Sequence, residues 1–294
     1  MDLQGLLSAL VTPFTADGAE IDEQGLRALV DRQIDEGVHG VIPCGSTGEF
    51  TTLTNDERRL VTEIVIDQTA GRVPVVPHIG ALTAGEAIAL GKHAEQKGAD
   101  AVLTVAPFYE PLTPDDAMNY HRSVAGALSV PSMIYNIPIA TGVNIDPELI
   151  GQLAREVEQI KYIKDTSLDM HQAGILIQEY GDVVKTFVGL DTFYLVSLVA
   201  GGAGAINGAA NVVAPELVAI WNAVQAGDID RARQVWDVVY PVLRFLTEVP
   251  YVAGVKAGLD LIGRSAGDPR LPVSPIPAEA REALDAALKR VAAA

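Results

Sequence analysis

Residues 101–165 read AVLTVAPFYEPLTPDDAMNYHRSVAGALSVPSMIYNIPIATGVNIDPELIGQLAREVEQIKYIKD. Three short apolar runs stand out in this stretch: Ala101–Val105, Ser132–Tyr135 and Tyr162–Lys164. The two longer segments between them have helical spacing, and each carries a helix start signal. Thr113-Pro114-Asp115-Asp116 is a capping residue followed by proline at the first helical position, and Asp146-Pro147-Glu148 repeats the pattern. The runs do not alternate polar with apolar residues, as expected of strands covered on both faces. The stretch therefore predicts three parallel strands joined by two crossover helices.

The alternation continues in both directions. Leu6–Val11, Gly40–Pro43 and Val73–Pro77 precede the stretch, and Val184–Val188 and Gly204–Ile206 follow it, which predicts eight strands. Among the intervening segments, Ile21–Glu36 places Leu26, Leu29, Val30 and Ile34 on one face, and Asn55–Thr69 does the same with Leu60, Ile64 and Val65. Glu86–Gln96 is alanine-rich. Thr54-Asn55-Asp56-Glu57 reads as a capping box, and Gly37, Gly71 and Gly98 as left-handed helix ends. Eight strands in strict alternation with helices predict an α/β fold of the TIM (β/α)8 barrel type. An open doubly wound sheet is disfavoured, because Leu6–Val11 runs into Thr12-Pro13-Phe14 instead of a Gly-x-Gly-x-x-Gly turn. Beyond residue 226 the strands stop, and Asp228–Thr247, Tyr251–Ile262 and Ala278–Val291 read as helices. The expectation is one domain, with a barrel over residues 1–226 and a C-terminal helical extension over 227–294.

The chain has 294 residues, 49% of them apolar, enough to bury a sizeable core. Its 21 basic and 38 acidic residues give a net charge of −17, which argues against nucleic acid and anionic membrane surfaces as partners. Cys44 is the one cysteine, so an internal disulfide framework is excluded. His78, His93, His121 and His171 show no metal-ligand spacing, and neither metal nor cofactor is expected. Residues 1–5 lack the features of a signal peptide, and no apolar window suits a membrane helix, so a cytoplasmic location is expected.

In a barrel of this kind the catalytic groups gather at the carboxyl ends of the strands. Lys164 closes an apolar run there, where burial favours the nucleophilic amine of a lysine. A lysine at a strand end can also swing out to solvent, and spacing alone does not separate the two. Tyr135 ends the preceding strand and can pass protons, or serve as a core aromatic with a satisfied hydroxyl. Gly45-Ser46-Thr47-Gly48-Glu49 offers two hydroxyls and several backbone donors, a setting suited to a carboxylate. Thr166, Gly189, Asp191 and Ile206 stand at further strand ends. Asp191 can bind substrate hydroxyls or cap the next helix.

Together these segments resemble the dihydrodipicolinate synthase / N-acetylneuraminate lyase family of class I lyases. The matching motifs are Gly40–Glu49, Tyr135-Asn136-Ile137-Pro138 and Ile163-Lys164-Asp165-Thr166-Ser167, supported by Ala9–Phe14 and Thr104–Tyr109. The resemblance implies that Lys164 forms an imine with pyruvate or another 2-oxo acid and that Tyr135 carries protons. It implies that Ser46 and Thr47 bind the carboxylate and that Thr166, Gly189, Asp191 and Ile206 bind substrate. Tyr109 matches a tyrosine that crosses a subunit interface to complete a Thr47–Tyr109–Tyr135 relay, which implies a homo-oligomer, in this family usually a tetramer.

Within the family, the synthases carry an arginine two residues after the Asn-x-Pro, and this chain has Ala140 there. Sialic acid lyases follow the Gly-x-Asp with glutamate and carry a serine after the last strand, where this chain has Thr192 and Gly208. Pro138–Gly142 and Lys164-Asp165-Thr166 look more like the 2-keto-3-deoxy sugar acid aldolases and dehydratases. The expected reaction is cleavage, condensation or dehydration of such a sugar acid. The alternatives are condensation of pyruvate with aspartate semialdehyde, cleavage of N-acetylneuraminate, and a non-catalytic relative that binds a 2-oxo acid.

Overall fold

The computed structural model describes residues 2–294. The chain runs through β1 (Gly5–Ala9), α1 (Glu23–Asp35), β2 (Gly40–Ile42), α2 (Asn55–Thr69), α3 (Ala84–Lys97) and β3 (Val102–Val105). It continues with α4 (Pro114–Gly126), β4 (Ser132–Asn136), α5 (Pro138–Thr141), α6 (Pro147–Glu156), β5 (Ile160–Asp165) and α7 (Met170–Glu179). The remainder is β6 (Lys185–Val188), α8 (Tyr194–Val199), β7 (Gly204–Asn207), α9 (Ala210–Gln225), α10 (Ile229–Glu248), α11 (Tyr251–Leu261) and α12 (Ala278–Ala292). Two compact units divide the chain. One holds Pro74–Ile206 with the N-terminal residues up to Gln4, and the other holds Gly5–Val73 with Asn207–Ala294.

In the first unit β3, β4, β5, β6 and β7 pair in sequence order, all parallel. Ile134 of β4 and Ile163 of β5 pack with Ile150 and Leu153 of α6 and Leu176 of α7 in one buried cluster. Each such side chain contributes about 1.5–3 kcal/mol by leaving water. The sequence predicts a strand over Val73–Pro77, and the structure corrects this to an extended segment beside β3 with one isolated bridge, His78 to Leu103. Asp100 N donates to Val75 O (3.1 Å), Leu103 N to Pro77 O (2.9 Å), and Ile79 N to Leu103 O (2.8 Å). Proline lacks the N–H that a continuous ladder needs, so Pro74 and Pro77 break the strand while leaving its direction intact.

In the second unit β1 and β2 pair in parallel, Leu7 opposite Gly40. Asn211 of α9 fastens the end of β1. Its Oδ1 accepts from Val11 N (3.1 Å), and its Nδ2 donates to Ala9 O and Gly208 O (2.7 Å each). The helices read after residue 226 are α10, α11 and α12.

The helix ends follow the sequence signals with two exceptions. Thr54 and Thr113 form capping boxes with Glu57 and Asp116. Asp146 stands at the N-cap of α6 without capping it, because its carboxylate accepts instead from Asn144 Nδ2 at 3.1 Å. The left-handed end of α2 is Ala70 (φ 49°), with Gly71 (φ 73°) continuing the turn.

His121 of α4 is 2% exposed, and burial pushes its imidazole down from 6.5 to about 4. Between those values the unfolded chain binds a proton that the folded chain refuses. Stability is therefore complete above pH 6.5 and falls as the pH drops toward 4. Denaturant titrations should record a loss on the order of 3 kcal/mol across that window from this group. His121→Gln should remove that increment, and an unchanged acid loss in the variant would contradict the assignment.

Candidate active site

The parallel register of β4 and β5 places Tyr135 opposite Lys164 and Asn136 opposite Asp165. Alternation along a strand sends the first pair to one face and the second to the other. Lys164 is 6% exposed, with Nζ 4.1 Å from the centre of the Tyr135 ring. A cation at that distance is attracted to the ring face, and the contact holds the amine beside the phenol's ring. The His78 ring stands perpendicular to the Tyr135 ring, with centroids 6.5 Å apart.

On the opposite face, Asp165 is the hub of a buried network. Its Oδ1 accepts from Asn136 Nδ2 (3.0 Å) and Gln172 Nε2 (3.2 Å), and its Oδ2 from Ser167 Oγ (2.8 Å). Asn136 also donates to Asn144 Oδ1 (2.9 Å) and accepts from Ile145 N (3.2 Å). Burial raises the Asp165 carboxyl above the usual range, and these hydrogen bonds oppose the rise. The ladder extends past the strand ends, with Thr166 N donating to Asn136 O and Gly189 N to Asp165 O, both at 2.8 Å.

Lys164, Tyr135, Thr166 and Gly189 are brought together. The Thr166 hydroxyl is buried without a protein partner. Gly189 has no room for a side chain, since an added Cβ would lie 2.1 Å from Thr166 Oγ1 and 2.6 Å from Lys164 Cε. Asp191, 2% exposed, opens a short 3-10 turn after β6, and Ile206 is buried in β7. Ala140 lies exposed in α5, and Tyr109 is 80% exposed after β3. Gly189→Ala should lower stability by about 1–3 kcal/mol through overpacking. A thermal melt matching that of the parent protein would refute the close packing around Lys164.

In the second unit, Gly45-Ser46-Thr47-Gly48 is bracketed by two non-glycine residues in the left-handed region, Cys44 and Glu49 (φ 58° each). Glu49 N donates to Ser46 O (3.1 Å), Phe50 N to Gly45 O (3.3 Å), and Thr12 Oγ1 to Gly48 O (2.7 Å). A Cβ on Gly48 would lie 3.0 Å from Leu10 O and 3.1 Å from Cys44 N, so the turn packs backbone on backbone. Ser46 is exposed and Thr47 buried. A Cβ on Gly208 would meet Thr47 Oγ1 at 2.8 Å and Tyr251 Oη at 2.7 Å, so both hydroxyls crowd Gly208.

Sequence reasoning missed Tyr251 and a second buried lysine, Lys256 of α11, which is ion-paired with Glu49 at 2.7 Å. The available signal was a lysine inside the apolar stretch Ala253–Leu259. Among the described residues no cluster of three or more His, Cys, Asp or Glu could hold a metal ion. None of the described helices is long and apolar enough to cross a membrane.

The model of the dihydrodipicolinate synthetase family matches residues 2–291. The chain belongs to that family. It is 36% identical over 289 residues to the 4-hydroxy-tetrahydrodipicolinate synthase of Methanopyrus kandleri, covering 98% of this chain and 96% of that protein. It is 38% identical over 281 residues to the enzyme of the same name from Syntrophus aciditrophicus, covering 96% of each. Among solved structures it is similar to YagE of E. coli K12, a family member crystallised in complex with pyruvate. That likeness has a TM-score of 0.93 at 30% identity over 98% of each chain. The chain is thus an enzyme of the lyase class, and its fold matches solved members of the family. These relatives favour the synthase alternative over the sugar-acid reaction that Ala140 suggests.

Proposed function

We propose that this family member is a pyruvate-dependent Schiff-base lyase whose nucleophile is Lys164. The observation that carries the reading is the buried Lys164 amine against the Tyr135 ring, aligned by the β4–β5 register. The Lys164 amine attacks the 2-oxo carbon, water leaves, and a protonated imine remains. The imine withdraws electrons, so C3 loses a proton and becomes a nucleophilic enamine carbon. That carbon adds to an aldehyde, the aldehyde oxygen takes up a proton, and water releases the product from the lysine. Tyr135 moves the protons, with Thr47 and the partner subunit's copy of Tyr109 as the rest of the relay in a homo-oligomer, a tetramer by the family resemblance. The backbone amides of Ser46 and Thr47 receive the carboxylate. The unpartnered Thr166 hydroxyl, Asp191, Gly189 and Ile206 bind the remainder of the substrate. The reaction needs no cofactor or metal.

On this reading residues 1–226 form a barrel of the TIM (β/α)8 type. Residues 227–294 are its helical extension, and the enzyme works in the cytoplasm on small molecules.

For the acceptor, the names of the relatives support aspartate semialdehyde, giving the 4-hydroxy-tetrahydrodipicolinate synthase reaction. Ala140 favours a second reading, in which a 2-keto-3-deoxy sugar acid itself forms the imine with Lys164 and is cleaved or dehydrated, because the position lacks the bidentate cation that a second carboxylate would use. Incubation with pyruvate and borohydride should add one reduced pyruvate unit at Lys164, and Lys164→Ala should abolish it. Tyr135→Phe should slow turnover roughly 10²–10⁴-fold. No adduct with any 2-oxo acid would sink the Schiff-base reading. A rate comparison between aspartate semialdehyde with pyruvate and a panel of sugar acids decides the acceptor, faster turnover of a sugar acid overturning the synthase assignment.

A further inference from the structure

Lys164 accounts for one buried lysine, and the chemistry above leaves the other unused. Lys256 is 2% exposed, and its Nζ lies 2.7 Å from Glu49 Oε1, with both side chains sealed from solvent. It also donates to Asp268 O (3.1 Å) and lies 4.2 Å from the centre of the Phe14 ring. Arg270 sits 4.1 Å from the same centre. Its backbone N donates to Glu49 Oε2 (2.8 Å), so both carboxylate oxygens of Glu49 are engaged. Burial pushes the Lys256 ammonium down, and Glu49 opposes that shift.

A sealed ion pair gains little stability over a well-packed apolar pair, so its value lies in what it fixes. Glu49 follows Thr47-Gly48 directly and holds φ at 58°, a conformation that costs a residue with a side chain. Its N–H closes the turn onto Ser46 O. The carboxylate is therefore the anchor of the strained residue on which the direction of the Ser46 and Thr47 amides depends.

We infer that the Glu49–Lys256 ion pair is a positioning device that holds the Gly45–Glu49 turn in the shape that receives the carboxylate of the 2-oxo acid. The inference rests on the reading of that turn as the carboxylate site. Both residues act through the turn and not on the reacting atoms, and the sealed Lys256 does not compete with Lys164 for the oxo carbon.

Borohydride trapping at increasing ligand concentration tests it, comparing pyruvate with methyl pyruvate, which lacks the carboxylate charge. In Lys256→Met the half-saturating pyruvate concentration should rise ten-fold or more, while that of methyl pyruvate moves less than two-fold. The double variant Glu49→Gln/Lys256→Met leaves no unpaired buried charge, and it carries the same comparison where the single variant does not fold. Circular dichroism identifies the folded variants. Equal shifts for the two ligands, no shift in a folded variant, or failure of both variants to fold would each overturn the inference. A wild-type protein that traps no pyruvate at Lys164 would instead mark the failure of the parent reading, and the inference would fall with it.

Discussion

The pairing of β4 with β5 aligns Tyr135 with Lys164 and Asn136 with Asp165, and the two-residue period of a strand then sorts these four side chains onto opposite faces. A slip of one residue would exchange the faces, putting a carboxylate where the amine belongs. The Asp165 hub opposes that slip. It joins Asn136 on β4 to Gln172 on α7 and to Ser167 in the intervening loop, so a shift of β5 would break several buried hydrogen bonds together. The same ladder carries Gly189 and Thr166 against the Lys164 chain. The lysine therefore owes its position to groups on the other side of the sheet.

The two buried lysines differ in what neutralises them. A carboxylate beside an ammonium favours the protonated form, and Lys256 has such a neighbour in Glu49. Lys164 faces an aromatic ring instead, with the buried hydroxyl of Thr166 nearby. An aromatic face attracts an ammonium far more weakly than a buried carboxylate does. On the proposed reading Lys164 is the residue of reversible covalent chemistry, whereas Lys256 is tied up in an ion pair.

Local signals made most of the secondary structure legible in advance. The apolar runs became strands because continuous burial leaves a continuous apolar signature, and Thr54 and Thr113 capped their helices because capping depends on residues three apart. The departures arose from competition that a local pattern does not encode. Pro77 removed a donor from an otherwise good strand, and Asn144 drew the Asp146 carboxylate away from its helix. In the candidate site, the neighbouring placement of Lys164 and Tyr135 was legible because each closes one of two successive apolar runs. Lys256 was not, because its meaning depends on Glu49, which lies far off in the chain and meets it through folding alone. Glu49 itself was read as the end of a turn, its left-handed backbone and buried carboxylate being consequences of tertiary packing.

The segment after β4 bears on the choice of substrate in the proposed reaction. The segment after Asn136 presents Ile139, which is 77% exposed, and Ala140, and neither can pair with a carboxylate through its side chain. The Thr141 hydroxyl is already committed to the carbonyls of Ile137 (3.1 Å) and Val143 (3.0 Å), which close α5 onto itself. To a substrate bearing a second carboxylate this segment would offer backbone amides and no bidentate fork of its own. A polyhydroxylated acceptor requires no such cation, since neutral hydroxyls lose less on desolvation than a carboxylate does. On the proposed reading the imine at Lys164 serves both reactions. The side chains of Ile139 and Ala140 leave the exposed face of α5 without a charge to offer either substrate.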